Sequence, residues 1–230
     1  MVKEQAMKYQ GIIFDLDGVI CFTDEYHYQA WKRLAEELGV AFDREKNNRL
    51  RGVSRMASLD IVLEDYPEPL AEAEKLALAE QKNETYKSLL AAMTPDDLPE
   101  DVRTTLLALR AQGLKLAIGS SSKNTPFILQ QLGLGSFFDA VSDGNNITNS
   151  KPDPEVFLKA AQMLDLEPKN CLVVEDAVAG AEAAHRGGMD AACVGDAAKA
   201  GAGDYNMNAI QDLLKIVSCK ENSPCETKHF

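Results

Sequence analysis

Short runs that are apolar on both faces alternate along most of this chain with segments whose apolar residues recur at helical spacing. The pattern predicts strands at Gly11–Leu16, Lys115–Gly119, Ala140–Ser142, Cys171–Glu175 and Ala191–Val194. Helices are predicted at Glu100–Gln112, Thr125–Gln131, Pro154–Leu164 and Val178–Arg186. Runs apolar on both sides belong to strands covered by layers above and below. Their alternation with helices predicts an α/β fold built on a doubly wound parallel sheet. The third helix opens as Asp153-Pro154-Glu155, a cap residue followed by proline at the first helical position.

From Val19 to Met93 the strand pattern stops and helical rows take over. Asp24–Leu38 carries an apolar row at Trp31, Leu34, Ala35 and Leu38, and Ala71–Leu90 is alanine-rich and highly charged. Roughly seventy residues are too many for a connection inside a compact sheet domain. The expected organisation is therefore an α/β core of residues 1–18 and 94–218, with residues 19–93 inserted as a helical cap domain. Its linkers, near Val19 and Thr94-Pro95, are placed to let it act as a lid. Residues 219–230 are polar and aperiodic and are expected to be a disordered tail.

A chain of 230 residues buries roughly 70–75% of its unfolded surface, enough for a core without staples. The net charge of −12 argues against nonspecific binding to nucleic acid or an acidic membrane. It leaves room for a small anionic substrate in a cleft with a few local cations. The five cysteines show no metal-ligand spacing, which fits a reducing compartment. Residues 1–10 have no apolar signal region and no apolar run reaches membrane-spanning length, so a cytoplasmic location is expected.

Four clusters fall at predicted strand ends. Asp15 and Asp17, in Ile12-Ile13-Phe14-Asp15-Leu16-Asp17-Gly18, share a face if the strand continues through them, about 6.5 Å apart. Like charges so close require a cation or a proton, although a turn-capping role before Gly18 stays open. Ser120 follows Leu116-Ala117-Ile118-Gly119, where its hydroxyl either caps the next helix or donates to a phosphate oxygen. Lys151, in Ser150-Lys151-Pro152, reads as a solvated loop lysine or an anion ligand. Glu175-Asp176 end an apolar strand, and carboxylates buried there need partners. Together the clusters supply a nucleophilic carboxylate, a hydroxyl donor, a cation and a second acidic pair at one sheet edge. Those are the parts for phosphoryl transfer through an aspartyl-phosphate. Carboxylate oxygens suit Mg²⁺, whereas His27, His185 and His229 are scattered and do not suit zinc.

The order of these motifs, with a helical insert after the first strand, resembles the haloacid dehalogenase superfamily of phosphotransferases. The likeness runs to about Val217 and implies the same Rossmann-like core with a cap. Asp15–Ile20, Glu25-Tyr26-His27, Ala30-Trp31, Arg51-Gly52-Val53-Ser54-Arg55, Ser120–Asn124 and Lys151-Pro152 resemble its phosphoglucomutase branch. That branch interconverts β-D-glucose 1-phosphate and β-D-glucose 6-phosphate.

The resemblance implies that Asp15 is the nucleophile and Asp17 the general acid and base. It implies one Mg²⁺ held by the Asp15 carboxylate and the Asp17 carbonyl, with Asp176 and nearby Glu175. Ser120 and Lys151 would hold the transferring phosphate, and Arg55 the distal phosphate of a glucose 1,6-bisphosphate intermediate, assisted by Ser122 and Asn124. Lys123, Gly52, Val53, Ser54, His27, Trp31 and Lys82 complete the implied substrate-binding set. From pattern alone, His27 reads as a core histidine and Lys82 as a snorkelling lysine; the resemblance sends both toward substrate or Asp17. Cys21-Phe22 departs from the Thr-Asp pair more common in the superfamily. The expectation is a monomeric enzyme acting on a small sugar phosphate. A phosphatase on the same substrate class is the alternative. A signalling receiver domain fits less well, because it would lack the insert and carry its acidic pair earlier in the chain.

Overall fold

The structure, a computed structural model, describes residues 7–50 and 53–218. The described residues divide into two compact units, one within 22–94 and the other within 7–21 and 95–218. The sequence expectation for the tail lies outside the described residues.

The second of these units is a parallel sheet of six strands: β1 (Gly11–Phe14), β2 (Lys115–Gly119), β3 (Ala140–Ser142), β4 (Cys171–Glu175), β5 (Asp190–Cys193) and β6 (Tyr205–Asn206). Their order across the sheet is β3-β2-β1-β4-β5-β6. The chain reverses its winding direction at β1, so the crevice beside the β1 and β4 carboxyl ends is a topological switch point, where open α/β sheets bind ligands. Gly11 pairs with Lys115 on one side and Cys171 on the other, and Phe14 with Ile118 and Val174. β1 is thus central, and its four residues are all buried.

The helical unit supplies α1 (Asp24–Leu38), α2 (Arg44–Asn48), α3 (Arg55–Val62) and α4 (Glu72–Leu90); α5 (Glu100–Ala111), α6 (Thr125–Gln131), α7 (Glu155–Met163), α8 (Val178–Arg186) and α9 (Gly195–Lys199) lie between the strands, and α10 (Leu213–Ser218) follows β6. Period-two alternation sends Ile13, Ala117, Val173 and Ala191 to one face of the sheet. There they pack with Val156, Phe157 and Ala160 of α7 and Ala181 and Ala184 of α8. Burying about 0.8 kcal/mol per CH₂ makes this layer the main hold on α7 and α8. The helical unit has its own core, formed by Trp31, Leu34, Ala35, Leu59, Val62 and Ala79.

The pattern reading located the first five strands and departed from the structure mainly at their ends. β1 stops at Phe14, two residues before the predicted end, and Asp15 N–H donates to Val174 O at 2.9 Å. Asp15 and Asp17 therefore lie in the turn beyond the strand, so the alternation argument for their shared face does not apply. Asp153 Oδ1 accepts from Glu155 N at 2.9 Å, but the helix begins at Glu155, so Pro154 stands at the N-cap rather than at the predicted first helical position. β6, with two residues, is too short to show a period. No helix among the described residues is long and apolar enough to cross a membrane.

Candidate active site

The turn after β1 is made by Gly18, whose φ of +90° lies where side chains are disfavoured. A Cβ on Gly18 would stand 2.2 Å from Asp176 Oδ2. Glycine is required here both for the turn and for the close approach of the β4 carboxylate. Gly18 N–H donates to Cys21 O at 2.7 Å and closes the turn.

Lys151 joins the two strand ends. Its Nζ lies 2.5 Å from Asp15 Oδ1 and 2.5 Å from Glu175 Oε1, and 4.7 Å from the centre of the Phe157 ring. Asp15 and Glu175 are buried. The other Glu175 oxygen accepts from Asp176 N and Ala177 N, each at 3.0 Å, at the start of α8. Gly180 makes room for this carboxylate, since a Cβ there would fall 2.0 Å from Glu175 Cδ. Burial alone would lower the Lys151 pKa, but the Asp15 and Glu175 charges outweigh it and hold the ammonium protonated. Burial raises Glu175, against the pull of Lys151.

Asp15, Glu175 and Asp176 each offer an oxygen within 4.8 Å of the others. Among the described residues no basic side chain pairs with Asp176. Burial, then the charges of Asp15, Glu175 and Asp17, push its carboxyl up to about 8. A cluster that holds one carboxylate so far from its ordinary range calls for a cation, and an all-oxygen donor set fits a hard divalent ion such as Mg²⁺. Asp17 contributes no side-chain oxygen to this trio.

Ser120 follows β2 and is buried. Its N–H donates to Ser142 O at 3.0 Å and its Oγ accepts from Ser122 N at 3.2 Å, which leaves the hydroxyl proton to donate elsewhere. Ser122 Oγ in turn accepts from Asn124 N at 3.2 Å. Lys123 is exposed and Asn124 buried.

The remaining sequence candidates belong to the helical unit. Lys82 is 3% exposed and meets His27 Nδ1 at 2.8 Å. Its ammonium also sits 4.8 Å from the Trp31 ring centre and 4.6 Å from that of Tyr86. This corrects the snorkelling reading: the aromatic cluster and the imidazole hold the charge inside. Burial, then the Lys82 and Arg55 charges, hold the His27 pKa well below its ordinary value, so His27 is neutral and accepts at Nδ1. Arg55 opens α3 after Ser54, whose Oγ caps the helix by accepting from Ala57 N. Its guanidinium donates to Asn83 Oδ1 at 2.9 Å and Glu80 Oε2 at 3.4 Å. Val53 is 37% exposed, and Gly52 lies outside the described residues. Sequence reasoning missed Asn83, Glu80, Gly180 and Glu155. The first two sit one α-helical turn apart at i, i+3, a spacing that any charged helix contains.

The doubly wound sheet carries three clustered carboxylates and the Lys151 ammonium at its switch point, a donor set that suits a hard divalent cation. The family model for haloacid dehalogenase-like hydrolase matches residues 9–188, and the chain belongs to that family. It is 40% identical to β-phosphoglucomutase of Bacillus subtilis over 206 residues, 89% of this chain and 91% of that protein. It is 34% identical to a fructose-1-phosphate phosphatase of Escherichia coli over 187 residues, 80% of this chain and 95% of that protein. The crystal structure of β-phosphoglucomutase from Clostridium difficile superposes with a TM-score of 0.83 at 36% identity, covering 89% of this chain and 93% of that one.

Proposed function

We propose that this enzyme interconverts β-D-glucose 1-phosphate and β-D-glucose 6-phosphate through an aspartyl-phosphate and β-glucose 1,6-bisphosphate. The observation that carries the reading is the pairing of Lys151 with Asp15 and Glu175, in a chain 40% identical to a β-phosphoglucomutase. Asp15, Asp176 and Glu175, with the Asp17 carbonyl, are the residues that would hold Mg²⁺. Bound there, the ion supplies positive charge to the transferring phosphoryl group.

In the phosphorylated enzyme, the 6-hydroxyl of glucose 1-phosphate attacks the phosphorus on Asp15 while Asp17 takes its proton. The Asp15–phosphorus bond breaks and the bisphosphate forms. After the bisphosphate turns around, Asp15 attacks the phosphate at C1, and Asp17 returns its proton to the departing C1 oxygen. Ser120 donates its free hydroxyl proton to the phosphoryl oxygens and Lys151 supplies an ammonium beside the nucleophile. Arg55 grips the distal phosphate, a task its planar fork suits. Ser122, Lys123 and Asn124 assist in phosphate binding, and His27, Trp31, Lys82 and the Gly52-Val53-Ser54 segment are the helical unit's own candidates for contact with substrate.

The likeness to a fructose-1-phosphate phosphatase favours a second reading, in which water replaces the sugar hydroxyl as acceptor. One assay separates the two: supply β-glucose 1-phosphate, Mg²⁺ and trace glucose 1,6-bisphosphate and follow glucose 6-phosphate. The mutase forms it without net phosphate. Stoichiometric free phosphate with no glucose 6-phosphate establishes the phosphatase.

A further inference from the structure

Lys151 belongs to no helix or strand. It lies in the connection between β3 and α7, yet its Nζ is held between two carboxylates, 2.5 Å from each. The loop has internal ties: Asp143 Oδ1 accepts from Asn145 N at 2.8 Å, and Asn146 Oδ1 accepts from Asp143 N at 3.1 Å. The part next to Lys151 is held from outside. Glu155, the first residue of α7, accepts from Thr148 N at 3.0 and 3.1 Å, from Asn149 N at 2.8 Å and from Asn149 Nδ2 at 3.2 Å. Lys159, one turn on, pairs with the same carboxylate at 2.8 Å and donates to Asn146 O. Asp153 N–H donates to Ser150 O at 3.1 Å, so the residues on both sides of Lys151 are tied to the start of α7.

That helix does not drift. Val156 and Phe157, directly after Glu155, are fully buried in the sheet core, and Phe157 is the ring that lies beside the Lys151 ammonium. The rigid layer thus reaches Lys151 by two routes, the Phe157 ring below and the Glu155 clasp along the backbone.

We propose that Glu155 is a positioning residue for Lys151: its carboxylate clasps the Thr148 and Asn149 backbone and so sets the Lys151 ammonium between Asp15 and Glu175. A negative charge at the first turn of a helix also suits the helix dipole. The Lys159 ammonium and the Asn149 and Thr148 N–H groups hold the Glu155 carboxyl down to about 2, so the clasp stays ionised at neutral pH. The role touches neither substrate nor metal. It rests on Lys151 serving the phosphoryl site, and it applies whether the acceptor is a sugar hydroxyl or water.

The test uses the full chain with ¹⁵N-labelled lysine, comparing wild type, Glu155→Gln, Glu155→Ala and Glu155→Asp. Two readouts are taken on each: the Lys151 ¹⁵Nζ resonance, assigned by its loss in Lys151→Met, and kcat for phosphate release or transfer from β-glucose 1-phosphate. Misplacement of a catalytic cation by about 1 Å costs on the order of 10²-fold. Glu155→Ala and Glu155→Gln should therefore shift or broaden the Lys151 resonance and lower kcat by about that factor, with Glu155→Asp recovering part of both. Glu155→Gln keeps the side-chain volume and serves if the alanine variant does not fold. A Lys151 resonance that stays in place, or a wild-type kcat, in Glu155→Gln overturns the proposal. An active Lys151→Met instead overturns the assignment of Lys151 to the phosphoryl site, a failure distinct from that of the clasp.

Discussion

Replacing Lys151 by methionine removes an ammonium while keeping most of the aliphatic stem. In the native protein that ammonium lies 2.5 Å from Asp15 and 2.5 Å from Glu175, with side-chain exposures of 9%, 12% and 1% for the three residues. Their charges lose almost all hydration and recover it from one another. Removing one member of a buried pair costs about 3–5 kcal/mol, because the partner is left buried and uncompensated. Here two carboxylates lose their counter-charge beside a third, Asp176, so the upper part of that range applies. For a chain of this size each kcal/mol is worth roughly 2–4 °C, so a loss of about 4–5 kcal/mol lowers the Tm by about 8–20 °C. The measurement is thermal unfolding by circular dichroism at pH 7.5 with a chelator present. Two further features mark the cause. The loss should shrink toward pH 5, as the orphaned carboxylates take up protons, and it should shrink on adding Mg²⁺, which replaces the missing positive charge. A Tm within about 2 °C of wild type at pH 7.5 in chelator would refute the claim that Lys151 holds the acidic cluster together.

Gly180→Ala should destabilise the protein by about 1–3 kcal/mol in urea unfolding, although alanine is worth up to about 1 kcal/mol over glycine inside a helix; a stabilised variant would show that Glu175 swings away from the new Cβ at no cost. Asp176 binds a proton in the folded metal-free protein up to about pH 8, against 3.8 for the ordinary group. Between those values the folded state holds more protons than the unfolded one, so stability in chelator falls as pH rises through that window. Saturating Mg²⁺ should flatten the slope, and a pH profile indifferent to Mg²⁺ would count against the cation site. Arg55→Ala should raise the bisphosphate concentration needed for half-maximal activity at least tenfold while leaving Mg²⁺ affinity, measured by calorimetry, within about twofold; equal losses in both would remove Arg55 from phosphate recognition.

How much of the site could be read along the chain differs residue by residue. Asp15, Asp17, Ser120, Lys151, Glu175 and Asp176 stood out because each follows an apolar run or a turn signal, and the carboxyl ends of parallel strands are where α/β sheets put their chemistry. His27 and Lys82 were visible only as breaks in apolar rows. Their partnership across two helices, with Tyr86 stacked 4.0 Å from the imidazole, has no local signature. Nothing in Asp153-Pro154-Glu155 tells that the Glu155 carboxylate turns back onto residues 148 and 149.

The sequence alone determined the class of fold, because the partition of side chains between oil-like and watery surroundings writes the strand and helix periods directly into the order of residues. It also determined which chemical groups are available and roughly which strand end carries each. Only the tertiary structure decided that β4 lies beside β1, although their paired residues are 160 apart along the chain. That adjacency brings Asp15, Lys151, Glu175 and Asp176 into one cluster. It also decided that β1 ends at Phe14 and that the Lys82 charge is buried. These outcomes depend on packing and on charges meeting across long sequence separations, and a local pattern carries no record of such meetings.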